Sequence, residues 1–269
     1  MSRQGKRAPK TINGPTHNVP ALFSAVCTKT ITPRDVARAQ NTFNETALYA
    51  AIEAYAKEWF RGASRPARVL ELCSSSGLCA MRVKRAIEVE RVTLVDINPD
   101  ALAIARRRFR SQHVSTIVED AVTYASADRF DLILLNSAYH HIAGHRKLRL
   151  LANAAKHLAP GGRVLLGDHF LPPYRRRVDF RRAVVAFYAP LVEELLERKT
   201  HRHAVEIIRQ AAYQCWNGVT EFKVSWAVFS RHLEASGLVL ASHQIVWRPK
   251  SARAYNFPVG SVAAALRQS

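Results

Sequence analysis

At 269 residues with 48% hydrophobic side chains, the chain can bury a sizeable core and holds one large domain or two small ones. Four scattered cysteines with no C-x-x-C pair exclude a disulfide framework and a zinc knuckle. No apolar run approaches the roughly 18 residues a bilayer span needs, so a soluble cytoplasmic protein without a membrane span is expected. The formal charge of +19, carried mostly by arginine, favours polyanionic partners such as nucleic acid, against the alternative of arginines solvated on an ordinary surface.

Residues 1–20 are polar and basic with Pro9, Pro15 and Pro20, the pattern of a mobile tail. Residues 21–66 form an N-terminal helical cap. In it ITPRDVARAQ opens with Thr32 as N-cap and Pro33 at the first helical position, and ETALYAAIEAYAKEWF repeats apolar residues at helical spacing. From residue 67 to 269 strand and helix patterns alternate. ARVLEL (67–72), RVTLVDI (91–97), VSTIVED (114–120), FDLILLN (130–136) and GRVLLGDHF (162–170) read as strands. Leu78–Ile87, Pro99–Phe109 and Lys147–Leu158 read as helices between them. After Pro172 and Pro173 a helical insertion at about 174–215 is interrupted by Pro190 and by the basic KTHRH. A helix at Ser225–Ala235, the strand LVLASHQIVW (238–247) and a last strand within Ala254–Leu266 complete the pattern. The fold expected is α/β: one Rossmann-like domain with a mostly parallel sheet and a helical lid beside the carboxyl ends of its strands.

The turn ELCSSSGLCA (71–80) lies between the first strand and its helix, and Asp96 ends the next strand about 20 positions on, where a carboxylate takes ribose hydroxyls. A dinucleotide would need glycines to let the backbone close on its pyrophosphate, yet Cys73 and Ser75 stand at the first two such positions and only Gly77 remains. S-adenosylmethionine has no phosphate to nest, so the missing glycines damage the dinucleotide reading more.

In order, VLELCSSSG, VTLVDINPDAL, VEDA, FDLILLNSAYHHI and LAPGGRVLLGD resemble the successive motifs of class I S-adenosylmethionine-dependent methyltransferases over Ala67–Phe170. The resemblance implies their seven-stranded sheet and S-adenosyl-L-methionine as methyl donor. It implies that Glu71 lies near the methionyl amino group, that Ser75 and Gly77 line the turn, and that Asp96 binds the ribose with Ile97 beside the adenine. Asp120 and the backbone of Ala121 then meet the adenine edge, and Asn136 lies next to the sulfonium. Read without the family, Glu71 caps its turn, Asp120 is the N-cap of residues 121–124, and Asp96 serves another nucleotide.

Methyl transfer is an in-line displacement at an activated carbon, and it needs a base only where the acceptor carries a proton that must leave. The segment NSAYHHIAGH (136–145) faces the substrate. Its His140–His141 pair resembles the LHH segment of small-molecule methyltransferases, where histidine binds or deprotonates the substrate. NSAY resembles more faintly an amino-methyltransferase motif in which Tyr139 stacks on the target ring, with Ser137 and Ala138 in place of its prolines. A packed histidine beside an exposed one is the structural alternative. The spacing of His140, His141 and His145 sets no metal site. Lys223 is a candidate anion contact, arginines of YRRRVDFRR (174–182) are candidates to reach an acidic substrate, and Tyr49 or Tyr55 closes over the cofactor. The leading expectation is methyl transfer to a small, acidic metabolite. The alternatives are an RNA or DNA methyltransferase, and a catalytically inactive module that only binds.

Overall fold

The computed structural model describes residues 41–109 and 113–269. The basic tail, Thr32, Pro33 and Cys27 lie outside the described residues. In chain order come α1 (Phe43–Trp59), β1 (Ala67–Leu72), α2 (Leu78–Ala86), β2 (Val89–Asp96), α3 (Pro99–Phe109), β3 (Val114–Val118) and β4 (Phe130–Asn136). Then follow α4 (Lys147–His157), β5 (Leu158–Phe170), α5 (Arg177–Glu197), α6 (Arg202–Asn217), α7 (Trp226–Ser236), β6 (Leu238–Trp247) and β7 (Gly260–Gln268).

The seven strands form one sheet in the order β3-β2-β1-β4-β5-β7-β6. All pairs are parallel except those of β7, which runs antiparallel to both β5 and β6. Strand alternation divides the core. Val69, Leu132, Leu134 and Leu165 face Ile52 of α1, Val83 of α2 and Leu102 of α3. Leu70, Leu72, Ile133, Leu135 and Leu166 face Leu150 and Ala154 of α4 and Phe229 of α7. A sheet buried on both faces explains why the strands read as near-continuous apolar runs. Strand order reverses between β1 and β4, opening a crevice at their carboxyl ends.

Four elements depart from the sequence expectations, the first being β5, which begins at Leu158 and not at Gly162 because Leu158 already pairs with Phe130 of β4. Pro190 does not interrupt the insertion: it lies inside the continuous helix α5, whose neighbours Phe187, Tyr188, Leu191 and Val192 are buried. One lost backbone hydrogen bond is outweighed there by packing. β3 stops at Val118 because the chain turns at Asp120, which takes the amides of Val122 on its side chain and Tyr124 on its carbonyl. The last strand begins at Gly260, after a short 3-10 turn at Lys250–Ala252. No helix among the described residues is long and apolar enough to cross a membrane.

Candidate active site

The crevice is the mouth of a cavity of about 530 Å³ that continues beneath α5 and α6. One end of it is built by β1, β2 and the turn between them. Cys73 and Ser75 adopt φ of 56° and 47°, so the loop keeps the left-handed geometry of the glycines it lacks. Two charged groups hold it there. The Ser75 amide donates to Asp96 Oδ2 at 2.7 Å, and Arg108 of α3 donates to the carbonyl and hydroxyl oxygens of Ser76, each at 2.9 Å. Asp96 Oδ1 also accepts from the Asn98 amide at 2.8 Å, so the carboxylate is fixed at the end of β2. Gly77 does not line the cavity. A Cβ there would lie 2.9 Å from the Phe109 ring and 3.0 Å from Leu94, so this glycine lets the start of α2 close against α3 and β2.

Glu71 is buried at the end of β1 and accepts from the Ala80 amide at 3.2 Å. Burial pushes its carboxyl up to about 8, with the Asp96 charge adding to the rise. Ile97 borders the same end of the cavity with 70% of its surface exposed. Asp120 accepts from Arg146 at 2.6 Å and from the Val122 amide at 2.9 Å. Burial opposes its charge, but these bonds hold it below the ordinary aspartate value. It therefore serves as turn cap and ion-pair partner as well as lining the cavity beside Ala121.

The opposite end is set by the carboxyl ends of β4 and β5. Asn136 is buried with its Oδ1 unpaired among the described residues. It pairs in register with Gly167, where a Cβ would come within 2.3 Å of that oxygen. Ser137 follows with φ 49° and donates to Glu45 Oε2 at 2.5 Å. Glu45 Oε1 meets His169 Nε2 at 2.6 Å, and His169 Nδ1 meets Ser261 Oγ at 2.9 Å. Burial disfavours the Glu45 charge, but His169 and Ser137 outweigh it and hold the carboxyl below its usual value.

His140 lies next to this group, with its Nδ1 2.8 Å from Asp168 Oδ1. Asp168 is fully buried, yet His140 and the His169 amide hold it far below the carboxylate range, so it is ionised and accepts. The proton of neutral His140 therefore sits on Nδ1, leaving Nε2 a bare acceptor. Burial and the nearby Lys223 charge push His140 down to about 4. Its Nε2 lies 3.6 Å from Glu221, too far for a hydrogen bond. Glu221 is held at about 2 against its burial, by Lys223, His140 and His141, and it also contacts Tyr188. His141 is half exposed and its Nδ1 lies 3.4 Å from Glu221. The segment carrying Glu221 and Lys223 is stitched down by Phe222 N to His140 O at 2.7 Å and Leu171 N to Val224 O at 2.9 Å.

The structure thus brings Glu71, Ser75, Asp96, Ile97, Asp120 and Ala121 to the same cavity as Asn136, His140 and His141. Tyr139 is not part of it. Its ring is 1% exposed against Phe229, and its hydroxyl meets His232 Nδ1 at 2.7 Å, because a 3-10 turn at Tyr139–His141 sends it toward α7. Lys223 lines the cavity but is paired with Glu221. None of the arginines at 175–182 lines it. Arg176 pairs with Asp179, and Arg181 stacks on Trp216 at 5.0 Å. Tyr49 lines the cavity and Tyr55 does not. Sequence reasoning missed Glu45, Asp168, His169, Tyr188 and Glu221. Asp168 and His169 end an apolar strand, where a buried charge is a signal in its own right.

The order of the sheet, with a single antiparallel strand at its second position from one edge, decides the architecture. This is the class I methyltransferase fold. Residues 69–162 match the family model described as "Methyltransferase domain". Nodulation protein S of Rhizobium tropici is 31% identical over 104 residues, 38% of this chain and 43% of that protein. The chain thus matches less than half of that relative's length. The N-methyltransferase NodS from Bradyrhizobium japonicum WM9, solved with S-adenosylhomocysteine, superposes with a TM-score of 0.53 at 16% identity, covering 89% of this chain and 99% of that one. The plantazolicin methyltransferase BpumL gives 0.59 at 12% identity, covering 88% and 90%.

Proposed function

We propose that the protein transfers a methyl group from S-adenosylmethionine to a small molecule. The observation that carries this reading is the single cavity, which runs from the carboxylates of Asp96 and Asp120 to the buried polar group under α5 and α6. Its 530 Å³ falls within the roughly 300–1,000 Å³ of small-ligand sites. The relatives named above point the same way. The residues suit the donor. Glu71, Asp96, Ile97 and Asn136 all line the cavity; in this reading Glu71 and the unpaired Asn136 Oδ1 accept from its methionyl ammonium, Asp96 accepts from its ribose, and Ile97 covers its adenine. The side chains of Cys73 and Ser75 leave no cradle for a pyrophosphate. When bound, S-adenosylmethionine supplies a methyl carbon already activated by the sulfonium. The chain's part is to orient the acceptor, exclude water and receive any proton the acceptor releases. His140, oriented by Asp168 and with Nε2 free, is the residue placed for that last task, and His141 borders the same space.

An acid group on the acceptor draws no support from the described cavity wall, since Arg146 and Lys223, the arginine and lysine that line it among the described residues, are each paired with a carboxylate. The nucleic-acid alternative rests on charge alone. Arg106 and Arg108 of the ARRRFR cluster are engaged by Thr116 and Ser76. Calorimetry with S-adenosylhomocysteine tests the proposal. Micromolar binding is expected, weakened by roughly 2–4 kcal/mol in Asp96→Ala, which strips charge-assisted bonds from two hydroxyls. No binding at millimolar ligand would instead make the chain an inactive module.

A further inference from the structure

Polar groups around the acceptor end of the cavity specify what it can take. Asn44 Oδ1 and Asn136 Oδ1 are buried and have no hydrogen-bond partner among the described residues, although their side chains are 1% and 8% exposed at residue level. Both border the cavity, Asn44 from the first turn of α1 and Asn136 from the end of β4. Asn136 Nδ2 is turned to Ser137 Oγ at 3.4 Å, which leaves the amide oxygen as the free end. A buried amide oxygen left without a donor has lost its water and gained nothing, so these positions call for ligand N–H or O–H groups. Asn136 lies where the donor's ammonium can satisfy it. Asn44 precedes Glu45 in the first turn of α1, where Glu45 meets Ser137 and His169.

The charges agree with this polarity. Glu45 and Glu221 face the same space as carboxylates, while the one lysine lining it among the described residues, Lys223, is held by Glu221 and lies 5.2 Å above the Tyr188 ring. A carboxylate or phosphate entering would meet like charge and displace a formed ion pair. The walls opposite are apolar, from Phe187 and Leu191 of α5 and Ile207 and Ile208 of α6. We infer that the methyl acceptor is a compact, largely apolar amine or N–H heterocycle, met by the Asn44 amide oxygen and the Glu45 carboxylate. This rests on the methyltransferase reading and narrows it. In the transfer the acceptor's nitrogen–carbon bond forms as the methyl–sulfur bond breaks and sulfur keeps the bonding pair. The proton on the methylated nitrogen leaves from the resulting cation: to Nε2 of His140, held by Asp168, where that cation is as acidic as an aromatic ammonium, and to water where it is more basic.

Two mixtures of one-ring aromatic compounds of equal size test the inference, one of amines and N–H heterocycles, the other of carboxylic acids. Each is incubated with the full chain and S-adenosylmethionine carrying a labelled methyl, and organic products are counted. Label in the amine mixture, at least tenfold above the acids, is expected. Label mainly in the acids, or in neither mixture while S-adenosylhomocysteine binds at micromolar concentration, overturns it. Absence of S-adenosylhomocysteine binding would strike the methyltransferase reading itself. Asn44→Leu keeps side-chain size, and it should cut labelling of the best amine at sub-saturating concentration roughly tenfold, the loss of one buried hydrogen bond. Its affinity for S-adenosylhomocysteine should stay unchanged, and an undiminished rate would remove Asn44 from the acceptor site.

Discussion

Glu71→Gln separates the cost of a buried carboxyl from its use. In the free protein the carboxyl is raised from an ordinary 4.5 to about 8, chiefly by burial, so its ionised form carries a penalty of roughly 5 kcal/mol. Because the folded value lies above the unfolded one, the penalty is absent below about pH 4.5, grows as the pH rises, and is complete above about pH 8. Between pH 7 and 9 the wild type should therefore lose about 1 kcal/mol that the glutamine variant keeps. For a domain of this size that is a difference of roughly 2–4 °C in the shift of Tm, read by thermal unfolding at both pH values. Binding has a matching signature. At pH 7 about nine-tenths of Glu71 is protonated, and an arriving ammonium draws the proton off. Calorimetry of S-adenosylhomocysteine in buffers of different ionisation heat should show close to one proton released by the wild type and almost none by the variant. The variant's affinity should fall by about 2 kcal/mol for the lost charge-assisted bond. Parallel unfolding curves together with no proton release at pH 7 would refute the buried-carboxyl argument.

Three further outcomes are expected. Ser75→Gly relieves a left-handed backbone and keeps the amide that Asp96 accepts, so stability should rise by up to about 1 kcal/mol in denaturant titration; a loss of that size would mean the Ser75 side chain is itself required. Gly167→Ala drives a Cβ to within 2.3 Å of Asn136 Oδ1, and should cost about 1–3 kcal/mol of stability and weaken S-adenosylhomocysteine binding, measured on the same sample. His140 is held down at about 4, below its unfolded value of 6.5, so the folded protein loses stability as the pH falls from about 6.5 to 4. The wild type should lose up to about 3 kcal/mol over that range, and His140→Gln should lose distinctly less in urea unfolding at pH 7 and pH 4.5.

The order of elements was legible in the sequence because each strand and helix carries its own periodicity and caps. Asn98 before Pro99 marks a helix start whatever lies around it, its side-chain oxygen accepting from the Asp100 and Ala101 amides. That Glu71, Asp96 and Asp120 line one cavity was legible for a related reason: the first two lie at the ends of β1 and β2 and Asp120 two residues beyond β3, so chain order alone puts them along one crevice of a parallel sheet. The sequence also carried the missing glycines, but not that Cys73 and Ser75 would hold positive φ, since that depends on Asp96 and Arg108 gripping the loop from elsewhere. The acceptor end belongs to tertiary structure. Glu45, His140, Asp168, His169 and Glu221 come from a helix, two strand ends and a late connecting segment, and no local pattern links them. Tyr139 shows the same limit in reverse: three residues of 3-10 turn decide which of Tyr139, His140 and His141 faces the cavity and which enters the core. Local chemistry fixes which elements form, whereas contacts between residues 92 and 124 positions apart fix which charges share one buried space.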